Sequence, residues 1–157
     1  MEECVIRSAV PEDIGAVQQL ALQGFRHEFD HGYDRHVNLD WPLSEEAQAA
    51  FRALIEQEES LLLVAACGTE VVGYLAGYLG PAGPQHLGGR PALLRGLFVA
   101  APVRRQGIGE QLVRHFLAWA REKQAAEITV AVAPGNEEAL ALYRKVGFRD
   151  QTLILAL

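Results

Sequence analysis

The stretch Leu97-Phe98-Val99-Ala100-Ala101-Pro102-Val103-Arg104-Arg105-Gln106-Gly107-Ile108-Gly109 constrains the fold of this chain more than any other. An apolar, strand-length run ends, a short loop carries two arginines, and two glycines open a new segment. In that segment Ile108, Leu112, Phe116, Leu117 and Ala120 recur at helical spacing. Strand, tight turn and amphipathic helix in that order require a sheet with helices packed on it, because neither element buries its apolar side alone. The first-turn N–H groups of such a helix have no internal partner and lie at the positive end of its dipole. Glycine at 107 and 109 removes side chains that would keep an anion away from them, and Arg104 and Arg105 add charged donors. The turn therefore reads either as a phosphate cradle or as a plain structural turn. It is neither a Walker loop, since the Gly-Lys-Ser/Thr ending is absent, nor a dinucleotide fingerprint, since Leu112 stands where the third glycine would fall.

The rest of the chain supplies the sheet. Val5-Ile6-Arg7 predicts a first strand, and Pro11-Glu12-Asp13 starts a helix carrying Ile14, Val17, Leu20 and Ala21 on one face. From His27 to Pro42 the periodicity lapses into three His, three Asp, Glu28, Tyr33 and Trp41, which reads as a long surface loop. Ser44-Glu45-Glu46 opens a helix to about Glu58. Leu61–Ala66 and Val71–Tyr78, joined by Gly68-Thr69-Glu70, form a hairpin. Gly80 to Pro91, with four Gly and three Pro, is a loop. Strands at Ala92–Val99 and Ile128–Ala133, a helix over Glu137–Val146 and a last strand over Phe148–Leu155 complete a β-α-α-β-β-β-α-β-α-β order. That order is a mixed α/β sheet with helices on its faces, and the 92–133 portion is expected to pair in parallel.

With 157 residues, half of them hydrophobic, the chain is long enough for one well-buried domain over 1–157. The net charge of −6 argues against nucleic acid as a partner. It averages two unlike halves: residues 1–79 hold 14 acidic and 4 basic side chains, residues 80–157 hold 6 and 10. Cys4 and Cys67 are too few for a disulfide framework or a metal set and read as two reduced thiols. The start Met1-Glu2-Glu3 has no basic region or long apolar run, and the apolar runs are too short to span a bilayer. No membrane association and a cytoplasmic location are the expectation.

Val99 through Gly109, with Arg-x-x-Gly-x-Gly at Arg104, Gly107 and Gly109, resembles the acetyl-CoA signature of the GNAT acetyltransferase superfamily. Asn136 through Phe148, with its Leu-Tyr-x-x-x-Gly-Phe ending at Leu142, Tyr143, Gly147 and Phe148, resembles that superfamily's second signature. The two occur in order, and the resemblance covers nearly the whole chain. It implies the GNAT fold, with a central mixed sheet of six to seven strands flanked by about four helices, and acetyl-CoA as co-substrate with no metal. Main-chain groups at Leu97, Phe98 and Val99 would pair with the pantetheine arm. Arg104, Arg105, Gln106, Gly107, Ile108 and Gly109 would receive the pyrophosphate. Asn136 and Ala139 would touch the arm, and Tyr143 would point at the thioester sulfur.

The implied reaction is attack of an acceptor's primary amine on the thioester, within a ternary complex. The main-chain N–H of Val99 or its neighbour would hold the oxyanion, and Tyr143 would protonate the departing thiolate. Core packing is the alternative for Tyr143, and helix capping for Asn136. Where many relatives carry a Glu base, four residues before Val99, this chain has Arg95, which cannot accept a proton. Candidate bases are then Glu28, Asp30, Asp34, Asp40, His31 and His86. Glu28, Asp30, Tyr33, Trp41 and Arg95 are the candidate acceptor-contacting residues. His27, His31 and Asp34 have ligand spacing only on a helix, which Gly32 argues against, so no metal is expected. The apolar end Thr152–Leu157 would invite a second subunit, hence a homodimer. A catalytically weak acyl-CoA sensor and a transferase of a longer acyl group stay open beside the acetyltransferase. The acidic half fits a cationic amine acceptor, against which Arg95 weighs.

Overall fold

Period-2 alternation decides which segments become strands, and here both faces of those strands are apolar because helices cover both. The computed structural model describes residues 3–85 and 87–157. Its sheet runs β1 (Cys4–Ser8), β2 (Ser60–Cys67), β3 (Glu70–Leu79), β4 (Pro91–Val99), β5 (Glu127–Val130) in spatial as in chain order. β1 to β4 are antiparallel neighbours, the β2–β3 hairpin among them, and β4 pairs with β5 in parallel. Along β2, Leu62 and Val64 face one core and Leu63 and Ala65 the other. The first core is completed by α1 (Ile14–Asp30) and α2 (Glu45–Glu56), through Val17, Leu20 and Phe51. The second is completed by α3 (Ile108–Glu122) and α4 (Glu137–Lys145), through Leu112, Phe116 and Tyr143. The expected mixed α/β architecture with four helices is what the chain adopts.

Three expectations need correction. The sheet has five strands among the described residues rather than six or seven, because Phe148–Leu155 forms none. Phe148 packs on the core and the Gln151 side-chain amide donates to the carboxylate of Glu127, the first residue of β5, at 2.6 Å. Among the described residues the outer edge of β5 stays unpaired, and Leu153, Ile154, Leu155 and Leu157 lie exposed. Second, α1 continues through His27 and Glu28 to Asp30, where a loop was expected; it stops only near Gly32, whose φ of +70° glycine takes without strain. Third, Cys4 and Cys67 form a disulfide. They are 63 residues apart in sequence but directly opposed on β1 and β2, with Cα atoms 4.1 Å apart. The reduced-thiol argument for a cytoplasmic location therefore loses its basis. No helix among the described residues is long and apolar enough to cross a membrane.

Candidate functional site

β4 is two strands in one. Pro91–Leu94 pair with Glu127–Val130, but β5 ends there while β4 runs on to Val99, held only by β3. At the changeover Arg95 is an extra residue: Ala76 pairs with Gly96 and Gly77 with Leu94, so Arg95 forms a bulge. A bulge bends and twists its strand. The outcome is a wedge, open on the side where β5 has stopped, with the edge of Gly96–Val99 along it.

α3 begins at the end of that edge. Gly107 sits at its start with φ +81°, makes no side-chain cap, and its carbonyl receives the first helical bond, from the Gln111 N–H at 3.0 Å. The N–H groups of Ile108, Gly109 and Glu110 thus lack partners inside the helix. A Cβ on Gly109 would lie 3.3 Å from Leu142 Cδ2 and 3.9 Å from Val99 Cγ2, so glycine lets α3, α4 and β4 converge here. Arg104 is turned inward: its Nε donates to the Val99 carbonyl at 2.8 Å, and its guanidinium lies 5.0 Å from the Phe98 ring centroid. Arg105 takes φ +63°, at a cost of about 1–2 kcal/mol for a side chain with a Cβ. With Gln106 it is exposed.

α4 supplies the opposite wall. Asn136 Oδ1 accepts the Ala139 N–H at 3.2 Å and so caps the helix. Tyr143, one turn beyond Ala139, is 7% exposed, its ring edge-on to Phe148 at 5.6 Å. Its hydroxyl has no hydrogen-bond partner among the described residues, yet no buried side-chain polar atom there is left unpartnered. The oxygen is therefore not sealed in the core. Burial, reinforced by the negative charge of Glu28, holds this phenol well above the ordinary tyrosine range.

α1 passes β4 on the other face of the sheet, with Glu28 exposed beyond the crossing. A Cβ on Gly24 would lie 3.2 Å from the Phe98 ring, so α1 crosses β4 there, and Glu28 is one helical turn further on the same side. Its residue keeps contact with solvent, but partial loss of water, and then the nearby Asp34, raise its carboxyl above the usual range. The same charge raises Tyr74 on β3 as well as Tyr143. One carboxylate thus stands within electrostatic reach of two buried phenols.

The other sequence candidates separate. Asp30, Asp34, Asp40 and His31 are exposed, as Glu28 is, but none lies one turn beyond the crossing over Phe98; Asp34 Oδ1 accepts the His36 N–H at 2.9 Å and His31 Nδ1 lies 2.8 Å from the His27 carbonyl. His86 lies outside the described residues. Arg95 is exposed on its bulge. Trp41 stacks on Phe25 at 5.9 Å and leans on Phe51, whereas Tyr33 stacks on His31 at 5.3 Å and approaches Gly135. They therefore do not line one pocket: Trp41 anchors α1 to α2, and Tyr33 bridges α1 to the turn before α4. His27 faces the positive charge of Arg104 there, and partial burial chiefly lowers its proton affinity. Among the described residues no three potential ligands gather as a metal site would require. Sequence reasoning passed over the Arg95 bulge and Tyr74. The bulge leaves no composition signal, and alternation makes Tyr74 a core residue; its hydroxyl in the run Val71–Ala76 was the only hint.

The fold resembles several solved structures. A mutant of the Bacillus halodurans protein BH1408 aligns at 24% identity over 98% of both chains, with a TM-score of 0.83. The aminoglycoside N-acetyltransferase AAC(6')-Iy, in complex with CoA, aligns at 15% identity over 100% of this chain and 95% of its own, TM-score 0.77. The aminoglycoside 6'-N-acetyltransferase AAC(6')-Ih from Acinetobacter baumannii aligns at 23% identity over 99% and 97%, TM-score 0.72. The family model described as acetyltransferase (GNAT) family matches residues 19–148, which span every element of the wedge, so this chain belongs to the GNAT acetyltransferase family.

Proposed function

We propose that this protein moves the acetyl group of acetyl-CoA to a primary amine of a small, cationic acceptor, with both substrates bound together. One arrangement supports the reading: a free strand edge runs into an uncapped helix start, with the unsealed Tyr143 on α4 beside it and Glu28 on α1 across the sheet. CoA fits it. Leu97, Phe98 and Val99 offer the amides of its arm a strand edge, and Arg105, Gln106 and the N–H groups at Gly107, Ile108 and Gly109 offer its diphosphate donors. Arg104 steadies that loop through Val99, and Asn136 and Ala139 border the arm. A relative of the same fold was solved in complex with CoA.

CoA supplies the activated thioester. Glu28, supported as the base by the crossing of α1 over Phe98, takes the proton from the ammonium of the acceptor. The freed nitrogen forms a C–N bond to the acyl carbon as the C–S bond breaks, and the Tyr143 hydroxyl gives its proton to the departing sulfur. The second amine proton restores Tyr143. The Ala100 N–H is already given to the Val72 carbonyl at 2.8 Å, which leaves Val99 to steady the carbonyl oxygen. Acidic side chains at Glu28, Asp30 and Asp34 favour a polycationic acceptor, and aminoglycoside acetyltransferases share the fold. The exposed Leu153–Leu157 supports a homodimer that covers it; sedimentation of a chain ending at Gln151 as a monomer, against a dimer for the full chain, tests that.

Thiol release from acetyl-CoA over a panel of amines tests the enzyme. Wild type should turn over a polyamine or aminoglycoside, and Tyr143→Phe should lower kcat by about a hundredfold. Tight CoA binding without turnover on any amine would instead favour the sensor, and faster reaction with propionyl- or longer thioesters the longer-chain transferase.

A further inference from the structure

We propose that the Tyr74 hydroxyl binds the reacting nitrogen of the acceptor, opposite Glu28, and thereby helps to select a primary amine. The proposal rests on the acetyltransferase reading above. Tyr74 lies on β3 in the α1/α2 core, 6% exposed, its ring edge-on to Phe51 at 6.1 Å and 83°. Its cross-strand partner is Phe98, the residue over which α1 passes on its way to Glu28. The bulge at Arg95 places bare Gly96 beside the phenol, where a Cβ would stand 3.2 Å from the hydroxyl oxygen. Any other residue at 96 would crowd that oxygen.

The hydroxyl has no hydrogen-bond partner among the described residues, although the ring is packed on all sides. A sealed, unpartnered hydroxyl would cost about 1–3 kcal/mol. None is sealed, so the oxygen keeps an opening, and it stands beside Gly96 on the part of β4 that β5 leaves free, the strand α1 crosses one turn before Glu28. Burial and Glu28 keep the phenol protonated at neutral pH. Its O–H can donate to the Glu28 carboxylate while its oxygen accepts an N–H from the amine. A primary amine that has given Glu28 its proton still carries two N–H groups, one for Tyr74 and one to restore Tyr143; a secondary amine carries a single N–H, which cannot serve both. The nitrogen lone pair is then left free for the acyl carbon.

Tyr74→Phe keeps the ring and its packing. Against whichever amine of a panel including neamine and 1,4-diaminobutane the wild type acetylates fastest, the variant should raise the amine KM about tenfold. Its kcat should stay within about twofold, and CoA affinity by calorimetry should not change. Tyr78→Phe, further along β3, should match wild type in all three. An unchanged amine KM in an active Tyr74→Phe enzyme overturns this proposal alone. So does an equal loss of CoA affinity, which would make the phenol a structural support. Absence of turnover in the wild type overturns the acetyltransferase reading, and this proposal with it.

Discussion

α3 and α4 pack side by side on the same face of the sheet, yet they start in opposite ways. α4 answers one of its free N–H groups from within, through Asn136 Oδ1. α3 starts at a left-handed glycine with no side chain to offer, next to a strand edge that is also unpaired. A folded chain pairs its exposed main-chain groups with side chains, water or a ligand. A fold that caps one helix and leaves its neighbour bare at the end of a bare edge has kept those groups for something else. A helix start alone would not carry that conclusion; the coincidence with the wedge does.

Filling the bare start should break the contrast most sharply. Gly109→Glu adds a bulky anion where the diphosphate would lie, and should weaken CoA binding by at least about a hundredfold in calorimetry. Unchanged affinity would make the turn merely structural. Gly107→Asn is gentler: nothing lies within 4 Å of its Cβ position, and asparagine bears φ +81° with less strain than most side chains. Thermal unfolding should show a loss of about 1 kcal/mol, from the left-handed backbone that glycine alone takes freely, with CoA affinity down about tenfold, since the new side chain stands over the same N–H groups. Asn136→Ala tests the capped side. It should cost about 1 kcal/mol of stability and weaken CoA less than Gly107→Asn does. A CoA loss larger than that of Gly107→Asn would assign Asn136 mainly to the ligand.

The same contrast separates what the sequence disclosed from what it hid. Both helix starts were legible, because glycines at 107 and 109 and the Asn136-Glu137-Glu138 opening act over one turn of chain. So were the hairpin and the parallel crossover, whose signals are periodicity and loop length. Features made by distant segments were not. The Cys4–Cys67 pairing depends on β1 docking against a strand more than fifty residues later. The final strand's apolar pattern is real, but whether it docks on the distant edge of β5 is not written in it, and the segment lies exposed. Arg95 in place of the expected base left six candidates of equal standing. Only the passage of α1 over Phe98 separates Glu28 from the others, and no local pattern encodes a crossing of two elements so far apart.

The smallest expected effect bears on that carboxylate. Glu28 is raised first by its partial loss of water and second by the charge of Asp34. As a base it must be ionised, so kcat/KM for the amine should climb as pH rises through that raised value. Asp34→Asn removes the second cause and leaves the first, so the acid limb should move to lower pH with its plateau unchanged. Stability carries the opposite sign. A carboxyl raised by folding contributes stability that is complete below its unfolded pKa and is lost as pH rises through its folded one. Wild type should therefore lose stability across that window, and Asp34→Asn should lose less. An acid limb that stays in place while the stability profile shifts would show that Asp34 does act on Glu28 but that Glu28 is not the base. The acceptor's proton would then have to leave by another route.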